Sequence, residues 1–115
     1  MIAVIFEVWP TDGRKDDYLA IAASLRADLD RIDGFISVER FQSLTDTKKL
    51  LSLSFWRDEE AVKKWRKHSG HRKSQIQGRA GIFADYRLRI AAVTRDYGKK
   101  DRAEVPDDSR AIHDL

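Results

Sequence analysis

Cysteine is absent from the 115 residues, so a disulfide, a thiolate metal site and a cysteine nucleophile are all excluded. Only two prolines occur, and each marks a boundary: Pro10 closes the first apolar run and Pro106 lies in a polar C-terminal stretch. No apolar run approaches the length of a membrane span. The opening MIAVIFEVWP has neither a basic leading segment nor a small-residue cleavage site, so it reads as a strand rather than a signal peptide. Charge of one sign is also scarce. The formal net charge is +3, with acids and bases mixed along the chain, which favours anionic partners only mildly. No G-x-G-x-x-G or P-loop segment is present for a flavin, nicotinamide or nucleotide.

What is present fits one soluble domain, with 42% hydrophobic and 36% charged residues. Lack of cysteine and of a membrane span is compatible with a cytoplasmic location. Residues 1–98 read as the domain. Residues 99–115 read as a polar tail, either disordered or draped over a neighbouring surface.

Ile2–Trp9 alternates, with Ile2, Val4, Phe6 and Val8 on one apolar face. From Arg14 to Ile32 the apolar residues recur every three or four positions, the pattern of one amphipathic helix, and Asp33-Gly34 closes it. Phe35–Leu44 and Leu50–Trp56 predict two strands around a polar hairpin at 45–49. Asp58-Glu59-Glu60 opens a second helix with the negative charge its dipole favours. Ser69-Gly70 is expected to bend or break that helix, with a further helical piece reaching about Gln77, and Ile82–Thr94 reads as a fourth strand. The order β-α-β-β-α-β predicts an α+β, ferredoxin-like antiparallel sheet with both helices on one face.

The apolar faces of the strands, including Leu51, Leu53 and Phe55, are expected under the helices. The other side would then show Glu7, Trp9, Leu50, Ser52, Ser54, Trp56, Asp85, Arg87 and Arg89, with Phe35, Ser37, Glu39 and Phe41 from the second strand. So much exposed aromatic and aliphatic surface predicts a homodimer closed through that face, with Trp56 in the interface. Between Glu7 and Arg87 or Arg89 a cross-strand ion pair is favoured over a catalytic carboxylate.

The segments FEVWP (6–10), DGFISVERFQS (33–43), LLSLSFWRDEEAVKKWRKHSGH (50–71), IFADYRLRI (82–90) and VTRDYG (93–98) together resemble the antibiotic biosynthesis monooxygenase superfamily of dimeric ferredoxin-like α/β barrels. The resemblance implies a small monooxygenase that acts on an aromatic or macrocyclic small molecule without flavin or nicotinamide. The superfamily also contains haem-degrading enzymes, which set a helix tryptophan, a helix histidine and a first-strand asparagine around the porphyrin. Trp65 matches that tryptophan, but Glu7 stands at the asparagine and Gln75 at the histidine, so haem binding is expected to be weak or absent. Haem ligation by His68 or His71 through a shifted helix is the alternative.

The densest chemistry lies between Trp65 and Gln75. His68 and His71 are three apart and would share a helix face. No third metal ligand is nearby, so dipole-stabilised helix-end histidines are favoured over a metal site. Lys63, Lys64, Arg66, Lys67, Arg72 and Lys73 read as a solvated helix side rather than a nucleic-acid surface. The candidate set is therefore His71 and Glu7 as catalytic groups, with Trp65, His68, Gln75 and Trp9 binding substrate and no metal. A dimeric binding or stress protein without catalysis is the competing reading, and cavity volume discriminates the two.

Overall fold

The computed structural model describes residues 1–68 and 81–113. Its elements are β1 (Ile2–Pro10), α1 (Lys15–Ser24), α2 (Arg26–Asp30), β2 (Phe35–Gln42), β3 (Leu50–Trp56), α3 (Glu59–Lys67), β4 (Phe83–Ala92) and α4 (Asp107–His113). The four strands form one antiparallel sheet in the order β2-β3-β1-β4, the ferredoxin-like arrangement expected from the sequence.

The expected helix over Arg14–Ile32 is divided at Leu25. Ser24 donates its hydroxyl to the Ile21 carbonyl at 2.6 Å, and the Leu25 N–H reaches back only three residues to Ala22 at 3.3 Å. A serine hydroxyl competing for a helix carbonyl loosens the α-helical ladder at that point. Gly34 then reverses the chain with φ +92°, a backbone conformation that only glycine adopts freely. The C-terminal stretch also carries structure: Val105 is buried, and α4 follows it.

Register decides which face is which. β1 and β3 align Ile2 with Trp56, Val4 with Ser54, Phe6 with Ser52 and Val8 with Leu50. Directly opposed residues point to the same side of a sheet, so Leu50, Ser52, Ser54 and Trp56 join the even face of β1. That face packs under the helices. Trp56, only 2% exposed, lies in a cluster with Ile2, Leu29 and Ala61, and Val8, Tyr18, Leu50 and Ile82 form a second cluster.

The expected placement of Trp56 in a dimer interface is therefore corrected: it is a core residue beneath α2 and α3. Leu51, Leu53 and Phe55, expected under the helices, share the opposite face with Ala3, Ile5, Glu7 and Phe41. Phe35 moves as well. A bulge between Phe35 and Ser37 puts Phe35 opposite Trp56 on the helix side, with the rings edge to face at 5.2 Å.

Candidate functional site

A cavity of about 310 Å³ lies between the helix-facing side of the sheet and the helices above it. The strands supply its floor. Ser52 and Ser54 stand where larger side chains would fill the space, while Trp56 and Leu50 flank them. Phe6, Tyr18, Phe83 and Tyr86 form one aromatic wall, with ring centroids 5.7 to 6.5 Å apart. Such offset and edge-to-face contacts hold rings rigidly. Leu25 and Leu29 close the cavity from α1–α2, and Val62, Trp65 and Arg66 line it from α3.

α3 owes its position to its first turn. The Asp58 carboxylate accepts from the Ala61 N–H at 2.9 Å, capping the helix, and Arg57 bonds both Asp33 and Asp58. The Ala61 amide first, then Arg57, holds the Asp58 carboxyl below its ordinary value; Arg57 does the same to Asp33. Ala61 is fully buried against Gly34, where an added Cβ would lie 2.7 Å from the Ala61 Cβ. This close approach sets Trp65, one turn further along, over the cavity.

The structure separates the residues expected at one site. Trp65 lines the cavity, and the His68 imidazole stacks on its ring at 5.3 Å with the planes 22° apart. His68 itself has left the helix, with φ −63° and ψ 136°, so α3 ends before the expected break at Ser69-Gly70. His71, Gln75 and the expected helical piece around them lie outside the described residues.

Glu7 and Trp9 do not meet Trp65, because odd positions of β1 face the other side of the sheet. Glu7 is ion-paired there with Lys49 and Arg89, and Lys49 followed by Arg89 holds its carboxyl below the ordinary value. Of the two cross-strand partners expected for Glu7, Arg87 and Arg89, the structure pairs it with Arg89. Trp9 donates its indole N–H to Asp46 at 3.0 Å and carries the Lys49 ammonium 5.1 Å from its ring centre, which anchors the β2–β3 hairpin.

Of the residues the resemblance sets around a porphyrin, two that are described, Glu7 and His68, are not placed to serve one. Glu7, at the resembling enzymes' asparagine, is on the far side of the sheet from Trp65 and already neutralised. His68 lies flat against Trp65 instead of projecting from a helix. Among the described residues no three His, Cys, Asp or Glu side chains gather as metal ligands.

Sequence reasoning missed Arg40, Ser52 and Ser54 as cavity residues. The signal was available in the polar alternation Ser52-x-Ser54 between two large apolar residues. A strand face that is small and polar at its centre and bulky at its ends is the floor of a pocket as readily as a solvent face.

The model of the antibiotic biosynthesis monooxygenase family matches residues 1–76. A jasmonate monooxygenase of Pyricularia oryzae is 49% identical over 94 residues, covering 82% of this chain and 44% of that protein. YqjZ of Bacillus subtilis, an uncharacterised protein, is 29% identical over 62 residues, covering 54% of this chain and 53% of its own length. The chain thus spans about half the length of these curated relatives. Among solved structures, Rv0793 of Mycobacterium tuberculosis superposes with a TM-score of 0.75 at 15% identity, covering 84% of this chain and 98% of that one. At that identity the likeness speaks for the fold alone.

Proposed function

Because the chain belongs to the antibiotic biosynthesis monooxygenase family, we propose that it oxygenates a small apolar molecule held between the sheet and the helices. The observation that carries this reading is the cavity itself. It is walled by aromatic and aliphatic side chains with a few polar groups, and it was left unfilled by serines at the centre of β3. A binding protein packed with its own side chains would have no such space. A volume of about 310 Å³ stands at the small end of ligand sites, so one compact ring system fits and a macrocycle does not.

In this reading Trp65 is a wall of the site and His68 supports its ring from behind. His71 follows three positions after His68 and is the proposed general base, with Gln75 as a substrate contact. Glu7 and Trp9 belong instead to the open sheet face. One atom of dioxygen enters a substrate C–H bond and the other leaves as water. The two electrons required come from the substrate or from an added reductant such as ascorbate.

Jasmonate is the substrate to try first, given the relative that shares half of this chain's aligned residues. Incubation with jasmonate and ascorbate under ¹⁸O₂ should yield a product carrying one heavy oxygen, detected by mass spectrometry. His71→Ala should remove turnover while leaving the melting temperature nearly unchanged. Absence of labelled product from jasmonate and from a panel of compact cyclic ketones and phenols would sink the oxygenase reading.

A further inference from the structure

The cavity contains a charge imbalance that the oxygenation chemistry does not use. Among the described residues two guanidinium groups line it, Arg40 from β2 and Arg66 from α3, and no carboxylate does. Arg40 stands on the helix-facing side of β2, directly across from Ser52. Its Nε is closed off from solvent and has no hydrogen-bond partner among the described residues. Two arginines about half exposed, Arg57 and Arg89, are nevertheless paired, Arg57 with Asp33 and Asp58 and Arg89 with Glu7, whereas the less exposed Arg40 leaves its Nε without an acceptor among the described residues.

A buried cationic donor without an acceptor is costly, and such a group is retained where a ligand completes it. Guanidinium offers parallel N–H donors that match the two oxygens of a carboxylate. The lining next to Arg40 is Val38, Ser52 and Ser54, which compete weakly for the cation, and the aliphatic side chains of β1 and β4 further across the sheet suit an apolar body.

We infer that the cavity takes an apolar carboxylic acid in its anionic form, with the carboxylate on Arg40 and the apolar body under Trp65. This rests on the reading that the cavity is the functional site, and it adds the substrate's head group and its orientation. Arg40 is a binding residue here, not a participant in oxygen transfer. With the head group fixed at β2, the reacting end of the ligand lies towards β4 and the aromatic wall.

The test is calorimetric titration of the full chain with two matched pairs, jasmonate against its methyl ester and decanoate against its methyl ester. Wild type, Arg40→Gln and Arg40→Lys are compared, with near-UV circular dichroism to verify the fold. Each acid should bind wild type about tenfold or more tightly than its ester, the worth of one charge-assisted hydrogen-bond pair. Arg40→Gln should erase that preference while leaving ester binding unchanged, and Arg40→Lys should keep part of it. If Arg40→Gln does not fold, the wild-type acid-to-ester ratio and its reduction in Arg40→Lys decide the matter.

Equal binding of acid and ester to wild type, a preference that survives Arg40→Gln, or no binding of any of the four would overturn the inference. An Arg40-dependent preference without oxygenated product leaves the head-group assignment standing and removes the oxygenase reading. Equal turnover of acid and ester at the same KM does the reverse.

Discussion

Single residues set both the stability of this fold and the space inside it. Trp56 is the largest of the deeply buried side chains, in contact with Phe35 and donating its indole N–H to Ser54 at 2.9 Å. That bond fixes the ring against the cavity floor. Trp56→Ala should lower unfolding free energy by about 3–5 kcal/mol in urea titration, with no change in oligomeric state of the folded fraction. A mild effect on unfolding would mean that the ring is not the core anchor described here. Gly34 makes a different demand, combining φ +92° with the 2.7 Å approach to Ala61. Gly34→Ala should cost about 1–3 kcal/mol, measured the same way, through backbone strain and displacement of α3. The sequence revealed Gly34 as a helix-terminating position because glycine there has one structural meaning. It did not reveal Trp56's direction, since a tryptophan is equally at home in a core and in an interface.

At the level of elements, β3 carries the main lesson in what a sequence leaves open. Its two faces read Leu51, Leu53, Phe55 and Leu50, Ser52, Ser54, Trp56, and hydrophobicity alone assigns the first to the core. The antiparallel register set by the β2–β3 hairpin assigns the second. One residue of slip exchanges the faces, and strand periodicity contains no information about that slip. Existence and order of the strands were legible because alternation and turn residues are local. The cavity was not, because it arises from which serines lie under which helix. α3 was legible from its acidic start, and the structure adds how Asp58 and Asp33 tie that start to Gly34 through Arg57. Both carboxyls are held below an ordinary 3.8 in the folded state. A depressed folded value means that their contribution is complete above the unfolded value and is lost as pH falls through the folded one. The urea midpoint should therefore be flat from neutrality to about pH 5 and decline below about pH 4. The Asp33→Asn/Asp58→Asn double variant should show a shallower acid decline, and an unchanged slope would assign the acid sensitivity to other groups.

Viewed as a whole molecule, the protein keeps the less apolar face of β3 for the cavity and leaves the more apolar face of that strand on the side away from α1, α2 and α3. Ile5, Leu51, Leu53 and Phe55 lie on that open side beside Phe41, which is 41% exposed. On the same face Glu7 is ion-paired with Lys49 and Arg89, the Asp46 carboxylate accepts from the Trp9 indole, and Glu39 and Arg87 add charge beside the apolar centre. Among the described residues the helices α1, α2 and α3 stand on the other side of the sheet. A second copy, presenting the same face about a two-fold axis, has the matching chemistry: aliphatic centre against aliphatic centre, paired ions at the margin. The dimer expected from the sequence is thus proposed with different residues, Leu53 in place of Trp56. Sedimentation at micromolar concentration should give a dimer for wild type. Leu53→Glu, which puts an unpaired charge at the centre of the face, should give a folded monomer with native near-UV circular dichroism. A dimer that persists in Leu53→Glu at the wild-type dissociation constant would move the interface elsewhere, and a wild-type monomer at those concentrations would leave the open face without a partner copy.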